Sequence, residues 1–223
     1  MYETDSKATM SQQPTGADGQ RQQPPRLKHR CFIVRHGQSI ANVQGLIVSD
    51  PAVGCHDFGL SEVGVEQALE AGRALKTLLT QSATPVTALT IHTSDFLRTL
   101  QTAHHLASEL VPFPVTVTST PALRERAFGD YNHTSVAHYN DVWAHDAARV
   151  CDAQTGVESP EDVRRRAVAF VMQADEDAGE GEVCVFVGHG DTLQILQTAF
   201  EGISAWDHRT LPPLGTAEVR ELP

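Results

Sequence analysis

The sequence predicts an α/β fold: a three-layer sandwich in which a mostly parallel central sheet is flanked by helices. Two short apolar runs, 31–34 and 183–187, are followed closely by glycine, as is common for strands buried on both faces of a sheet. Between and after these runs, strand-like segments alternate with segments of helical periodicity. Such alternation is typical of βα units, which build parallel sheets covered by helices on both faces.

The first half of the chain contains two predicted strand-and-helix units. The strand at 31–34 is followed by a long glycine-containing connection and then by a helix that Ser61 can cap. A second strand is predicted at 87–93, with Ser94 and Asp95 as N-cap candidates for the next helix. The apolar stripes of the two helices comprise Val65, Ala68, Leu69, Gly72, Leu75 and Leu79, and then Leu97, Leu100, Ala103, Ala107 and Leu110.

The second half repeats the alternation. A short third strand is predicted at 115–118, and the fourth strand, 183–187, leads through His189 into a further helix. Residues 159–162 (Ser-Pro-Glu-Asp) are a strong helix start, with a cap, a proline at the first position and acids at the positive end of the dipole. The stripes of these helices are Val163, Ala167, Phe170, Val171 and Ala174, and then Leu193, Ile195, Leu196 and Ala199.

Composition divides the chain into a tail and one domain. Residues 1–26 hold much Gln, Pro, Ser, Thr and Gly and almost no large apolar side chains, so burial cannot offset the entropy of ordering them. We expect a disordered tail over 1–26 and a single domain over 27–223. The chain of 223 residues, 40% of them hydrophobic, can bury one sizeable core. A monomer and a homodimer both remain open.

Charge and hydropathy exclude several classes of partner. The formal net charge of -11 argues against binding to nucleic acid or anionic membranes, which are held by clustered Lys and Arg. No stretch approaches the roughly 18 apolar residues of a membrane span, and the N-terminus lacks the apolar segment of a secretory signal. Four cysteines show no Cys-x-x-Cys spacing, and two lie in predicted buried strands. We therefore expect a cytoplasmic protein without nucleic-acid or membrane partners.

Two histidines follow the two most apolar strands, as Arg35-His36-Gly37 and Gly188-His189-Gly190. Ligands of open α/β sheets bind beyond the carboxyl ends of the strands, so both imidazoles are expected to face one crevice. A neutral imidazole can attack phosphorus, a neighbouring guanidinium can grip phosphoryl oxygens, and glycine lets backbone N–H groups approach an anion. Taken alone, either tripeptide is also compatible with a strand that ends in a polar surface turn.

Five segments, taken together and in this order, resemble the motifs of the histidine phosphatase superfamily, on its phosphoglycerate-mutase-like branch. They are residues 35–42 (RHGQSIAN), 59–64 (GLSEVG), 94–103 (SDFLRTLQTA), 123–129 (LRERAFG) and 188–190 (GHG). The resemblance covers about residues 30 to 200. It implies the phosphoglycerate-mutase-like fold, and a single histidine phosphatase catalytic domain over 27–223.

The resemblance also assigns chemical roles. It implies that His36 is the nucleophile and forms a phosphohistidine, and that Glu125 is the general acid and base, a role that calls for a raised pKa. The other catalytic residues it implies are Arg35, Arg98 and His189, and the phosphate-binding set is Arg35, Asn42, Arg98, His189 and Gly190. Nearby arginine charge is expected to lower the pKa of His36, and His189, if protonated, would stabilise the transferring charge. For Glu125 alone, the alternative is a salt bridge with a flanking arginine.

Two departures from the mutases favour a phosphatase. The mutases carry a longer insert between the glutamate and the second histidine, and that insert supplies paired arginines for phosphoglycerate. In this chain, the arginine triplet 164–166 is instead expected to be a solvated helix face. Phe128 stands where the mutases place a tyrosine. The expectation is a metal-independent phosphomonoesterase without a cofactor, acting on a small phosphorylated metabolite. A primed mutase and a non-catalytic phospho-ligand binding protein are the alternatives.

Substrate choice is expected to depend on two segments, 45–59 and 131–151, as loops or a cap over the strand ends. Tyr139 and Trp143 in the second segment are candidates for this rim or for the core. No histidine cluster matches a complete metal-ligand pattern. We expect the adjacent pair 104–105 and the histidines of 138–145 to be structural or exposed, and predict no metal site.

Overall fold

A computed structural model describes residues 23–151 and 154–223 and contains one five-stranded sheet with helices on both faces. The strands are β1 (Arg30–Arg35), β2 (Ala88–Ser94), β3 (Val115–Thr120), β4 (Glu182–Gly188) and β5 (Val219–Glu221). The α-helices are α1 (Ile40–Gln44), α2 (Pro51–Gly54), α3 (Glu62–Thr80), α4 (Leu97–Ser108), α5 (Tyr139–Ala147), α6 (Pro160–Asp177) and α7 (Gly190–Phe200). The predicted α/β sandwich is confirmed.

The strand order, β3-β2-β4-β1-β5, places the two histidine-bearing strands side by side at the centre of the sheet. β1 and β4 are parallel, and Arg35 pairs in register with Gly188. The backbone N–H of His36 then donates to Gly188 O at 3.0 Å. Both strands therefore end at the same edge of the sheet, and this brings together the two predicted site segments that follow them.

Alternation along β1 explains the two halves of the core. Phe32 and Val34 face α3 and α4, in a cluster that includes Leu75 and Leu106. Cys31 and Ile33 face the opposite side, where they pack with residues of α6 and α7. The central strands thus have apolar neighbours above and below, which is why their sequences read as continuous apolar runs.

The observed elements differ from the predicted ones at β5 and at the start of α4, and the short helices α1 and α2 lie in the stretch predicted as a connection. β5, which pairs antiparallel with β1, was not predicted; the sheet is mostly parallel, as expected. The expected caps Ser94 and Asp95 are wrong, because Phe96 occupies the N-cap position of α4 and forms no side-chain cap bond. Ser94 is instead the last residue of β2. Three residues of β5 are too few to leave a clear alternation in the sequence.

The predicted tail falls mainly outside the described residues, which begin at residue 23. The stretch 23–27 has no regular secondary structure, but Leu27 packs against the α6 and α7 side of the core. The N–H groups of Lys28 and His29 donate to the carboxylate of Asp175 at 2.8 and 3.0 Å. The chain is therefore attached to α6 just before it enters β1.

The cysteines of the two central strands are small buried core residues, as predicted. Cys31 and Cys184 are partners in the β1–β4 register, and both are free thiols. Among the described helices, none combines the length and the apolar character needed to cross a bilayer.

Candidate active site

His36 is buried at the end of β1 and is held in one tautomer. Its Nδ1 lies 2.7 Å from Gly37 O, so Nδ1 carries the hydrogen and donates to that carbonyl. The other nitrogen, Nε2, keeps its lone pair and accepts from Nε of Arg98 at 3.2 Å. Burial, with the charges of Arg98 and Arg35, holds the pKa of His36 well below its usual value of 6.5. His36 is therefore a neutral imidazole whose Nε2 can act as a nucleophile.

His189 lies next to His36 as a neutral donor. The two ring centroids are 5.3 Å apart in an edge-to-face arrangement, and Phe96 contacts His189 at 5.1 Å. Ser94 Oγ accepts from the N–H of Phe96, so its own hydrogen can be donated to His189 Nε2 at 3.0 Å. Burial first, and Arg98 next, hold the pKa of His189 well below 6.5. The structure thus favours an N–H on Nδ1 over the protonated ring considered from the sequence.

Two arginines approach the histidines from different elements. Arg98, in the first turn of α4, is buried; its Nη2 donates to Val48 O at 2.9 Å. Burial lowers the pKa of Arg98 to about 10, which leaves it charged at neutral pH. Arg35, the last residue of β1, donates from Nη1 to Leu214 O at 2.9 Å. Both guanidiniums are therefore anchored by backbone carbonyls.

The remaining nitrogens of this cluster point to an anion. In the described part of the chain, four buried side-chain nitrogens have no hydrogen-bond partner: Arg35 Nε, Arg98 Nη1, His189 Nδ1 and His208 Nε2. The first three belong to one cluster around His36. Buried donors are normally satisfied, and three N–H groups of mostly cationic residues suit the oxygens of a phosphoryl group.

The two remaining predicted phosphate ligands differ in placement. Gly190 opens α7 beside Arg35, and a Cβ added there would meet Arg35 Cζ at 3.4 Å, so glycine keeps the space above the guanidinium open. Asn42 lies on the exposed side of α1, in a capping box with Ser39. Its Oδ1 accepts from Ser39 N at 3.0 Å, which leaves the amide nitrogen as the possible phosphate donor.

Glu125 is buried beside the same cluster with one oxygen fixed. Its Oε1 accepts from the N–H groups of Arg126 and Thr192 at 3.0 and 3.2 Å and from the Thr192 hydroxyl at 3.2 Å. Burial and the nearby charge of Asp191 raise the pKa of Glu125, against the opposing effect of Arg98. Oε2 is therefore the oxygen left to exchange a proton, and the shift favours the acid form.

The arginines that flank Glu125 pair with other carboxylates, so the salt-bridge alternative is wrong. Arg124 binds Asp95 through Nη2 at 2.6 Å, and Arg126 binds Asp146 through Nη1 and Nη2 at 2.6 and 2.8 Å. Glu125 is thus held by backbone donors and a hydroxyl rather than by a cation.

A buried group of four charged or titratable side chains adjoins Glu125. Arg126 also donates to Asp191 at 3.3 Å, and Asp191 accepts from Trp143 Nε1 at 3.1 Å. His208 Nε2 lies 3.8 Å from Asp146 and 4.0 Å from Asp191, while its Nδ1 faces Ala205 O at 2.9 Å. The network connects the segment of Glu125 with α5, α7 and the 3-10 helix Ala205–Thr210.

The expectation of a solvated face at 164–166 is correct only for the middle residue. Arg165 is exposed, but Arg166 is half-buried and pairs with Glu158 at 2.8 Å. Arg166 also donates to the backbone carbonyls of Ala122 and Arg124 at 2.8 and 2.9 Å. It therefore supports the segment that carries Glu125. A run of charged residues in the sequence does not reveal which side chain will be buried, because that depends on the loop that packs against the helix.

A cavity of about 170 Å³ opens beside the cluster. It is lined by Arg35, Glu125, Tyr139, Trp143, Gly190, Asp191, Gln194, Arg209, Pro213 and Leu214. The helix α5 from segment 131–151 thus contributes to the rim, and Tyr139 stacks on Trp143 at 5.2 Å and packs on Phe128 at 5.0 Å. From segment 45–59, Val48 O reaches the site by accepting from Arg98.

The surface histidines occupy positions away from this cluster. His104 is exposed on α4, and His138 pairs with Asp141 at 3.0 Å on the exposed side of α5. Within residues 23–151 and 154–223, no three His, Cys, Asp or Glu side chains are placed to hold a metal ion.

Sequence reasoning did not assign several residues of the site. Ser94 lies in a motif segment, but its position before a helix predicts an N-cap rather than a contact with His189. Thr192 and Asp191 directly follow the second histidine motif, which was their only sequence signal. Arg126 also lies in a motif segment, but its partners Asp146 and Asp191 are distant in the chain, and Arg209 had no sequence signal.

Fold and site together define an α/β enzyme of phosphoryl transfer. The family model of the histidine phosphatase superfamily, branch 1, matches residues 31–222, and the chain belongs to that superfamily. This confirms the resemblance drawn from the motifs. Members of the superfamily that resemble this chain include both phosphatases and mutases.

Three known proteins illustrate that range. The chain is 29% identical over 191 residues to a 2,3-bisphosphoglycerate-dependent phosphoglycerate mutase of Methylocella silvestris, covering 83% of this chain and 86% of the mutase. It is 25% identical to a mycobacterial glucosyl-3-phosphoglycerate phosphatase solved with VO3, with a TM-score of 0.68 and coverage of 86% and 92%. A phosphoserine phosphatase of Entamoeba histolytica shares the fold, with a TM-score of 0.67, 18% identity and coverage of 86% and 89%.

Proposed function

We propose that the protein is a metal-independent phosphomonoesterase that acts on a small phosphorylated metabolite through a phosphohistidine at His36. The observation that carries the proposal is the convergence of unpartnered N–H groups from Arg35, Arg98 and His189 around a neutral His36. Glu125, with its raised pKa, borders the same cavity. A nucleophile, an oxyanion clamp and a proton donor are thus available without a metal.

In the first step, His36 Nε2 attacks phosphorus and forms an N–P bond while the ester P–O bond breaks. Glu125 gives its proton to the departing alkoxide, so the products are an alcohol and phosphohistidine. The charge on the three transferring oxygens is stabilised by the N–H groups of Arg35, Arg98 and His189, and this electrostatic term is the main demand of phosphoryl transfer.

In the second step, water attacks the phosphohistidine. The ionised Glu125 takes a proton from the water as the new P–O bond forms and the N–P bond breaks. Phosphate leaves, and His36 and protonated Glu125 are regenerated. The cavity beside Glu125 provides access for water once the alcohol has left.

The packing around the site favours a phosphatase over a mutase. Phe128, at the position of the mutase tyrosine, is fully buried against Tyr139 and has no hydroxyl for a substrate. The arginines between Glu125 and Ser159 are Arg126 and Arg149, and both are engaged with carboxylates. The similarity to a named mutase supports the second candidate, in which a retained product rather than water accepts the phosphoryl group.

The test is phosphate release from a panel of phosphomonoesters in excess chelator, with isomer analysis of 3-phosphoglycerate. We expect release by the wild type, an acid-labile phosphoprotein after a rapid quench, and loss of both in His36→Ala. The matched control is His104→Ala, which removes an exposed histidine of α4. Isomerisation without release would establish the mutase, and full activity of His36→Ala would overturn the assignment of the nucleophile.

A further inference from the structure

We propose that Arg209 binds a second anionic group of the substrate, so that the enzyme prefers short phosphomonoesters whose leaving group carries a carboxylate or another phosphate. The inference rests on the proposed function. Arg209 lines the same cavity as Arg35 and Glu125.

The first support is the pairing of the arginines. Of those within residues 23–151 and 154–223, only Arg26, Arg35, Arg98 and Arg209 lack a carboxylate partner within ion-pair distance, although acids outnumber bases in this chain. Arg35 and Arg98 belong to the phosphoryl clamp. Arg209 is thus the one further unneutralised guanidinium at the cavity.

The second support is that Arg209 is held in place before any ligand arrives. Its Cζ lies 3.7 Å above the centre of the Trp143 ring. Its Nη1 donates to Gln194 Oε1 at 2.6 Å, and Gln194 is itself anchored by donating to Leu211 O at 2.6 Å. Nε and Nη2 of Arg209 remain as donors, a fork that matches a carboxylate or phosphate. Stacking also reduces the entropy lost on binding.

The third support is the charge of the other cavity residues. Asp191 already accepts from Trp143 Nε1 at 3.1 Å and from Arg126 at 3.3 Å. The raised pKa of Glu125 favours its neutral acid form. Among the residues that line the cavity, Arg35, beside the phosphoryl site, and Arg209 are the two that carry positive charge.

The size of the cavity limits the leaving group. Its volume of about 170 Å³ is below the roughly 300–1,000 Å³ of pockets that hold drug-sized ligands. A leaving group of a few carbon atoms fits this space, and its second anionic group would then lie close to Arg209.

The experiment compares substrates that differ by one anionic group. O-phosphoserine and O-phosphoethanolamine differ by a carboxylate, and the bisphosphate and monophosphate of propane-1,3-diol differ by a phosphate. In Arg209→Gln we expect kcat/KM for the anionic member of at least one pair to fall roughly 10- to 100-fold through KM, with kcat little changed. For the member that lacks the second anionic group, kcat/KM should change less than about threefold, and Arg209→Lys should retain part of the preference.

Arg165→Gln is the matched control, because it removes the same charge from an exposed helix position. An equal loss for both members of each pair would assign Arg209 a structural role on Trp143 and overturn the inference. So would an unchanged preference in Arg209→Gln. If the wild type releases phosphate from none of the four compounds or from the wider panel, the proposed function fails first and this inference falls with it.

Discussion

Glu125 lies beside a buried group of charges that do not cancel in pairs. In this group, Arg126 pairs with two carboxylates, those of Asp146 and Asp191. Burial lowers the pKa of His208 and so favours its neutral form. Burial first, and the negative charge of Asp191 next, raise the pKa of Glu125 and so favour its protonated form. Arg98 and the hydroxyl of Tyr139 face Glu125 from α4 and α5, and the charge of Arg98 and the backbone N–H groups of Arg126 and Thr192 oppose the rise in pKa.

Asp191→Asn is expected to lower the pKa of Glu125, because it removes the nearest like charge. A general acid must be protonated, so activity is lost as pH rises through its pKa. The alkaline limb of kcat for an alkyl phosphate should therefore move to lower pH by a fraction of a unit to about two units.

The measurement is a pH–rate profile, with Asp141→Asn as control because Asp141 is exposed on α5. A reduced rate with the limb in its wild-type position would show that Asp191 acts on packing alone. An unchanged profile would remove Asp191 from the account of Glu125.

At the scale of elements, the loop after His36 is clamped between the first turn of α3 and α4. Ser61 N donates to Gln38 O at 2.9 Å, and Gly37 N donates to Thr102 Oγ1 at 3.1 Å. A Cβ added to Gly64 would lie 2.0 Å from Gln38 O, which is far inside any allowed contact. The helix can approach the loop this closely only because residue 64 has no side chain.

Gly64→Ala is expected to lower the free energy of unfolding by about 1–3 kcal/mol, as for an overpacked core site. It should also lower kcat, because the backbone that must move carries the nucleophile. Urea unfolding and the turnover assay measure the two effects. Gly179→Ala is the control, since its added Cβ would meet only the end of a glutamate side chain at 3.6 Å. Equal stability of the two variants would contradict the clamp.

On the scale of the whole molecule, three imidazoles are buried in and beside the site. Burial lowers the pKa of His36, His189 and His208 below 6.5, the value expected in the unfolded chain. Below that pH the unfolded chain binds more protons than the folded one, so acid favours unfolding. Glu125 has a raised pKa, so above its usual value of 4.5 it has the opposite effect on the pH dependence of stability. It is one group, however, against three histidines.

Stability is therefore expected to be greatest above pH 6.5 and to fall as the pH drops below it, by up to about 1.4 kcal/mol per pH unit for each histidine. Thermal or urea unfolding between pH 8 and 5 measures the slope. His189→Gln should reduce the slope by one histidine, whereas His104→Ala, at an exposed position, should change it less. A constant stability across this range would contradict the neutral cluster.

The architecture could be predicted, and candidate reacting residues could be named, because both depend on local patterns. Apolar runs that end in Arg35-His36-Gly37 and Gly188-His189-Gly190 identify neighbouring buried strands and the chemistry at their ends. The antiparallel β5 and the true N-cap of α4 could not be predicted in this way. A strand of three residues has almost no periodicity, and a cap depends on where the preceding strand ends.

The sequence alone determined the fold class and the family, and it named the residues proposed here as nucleophile and phosphate ligands. It did not reveal the surroundings that give those residues their state. The network of Arg126, Asp146, Asp191 and His208 joins positions far apart in the chain, as does the stack of Arg209 on Trp143. Burial and charge shift a pKa over a few ångströms of space, so only the folded arrangement sets the proton on Glu125 and leaves Arg209 without a carboxylate partner.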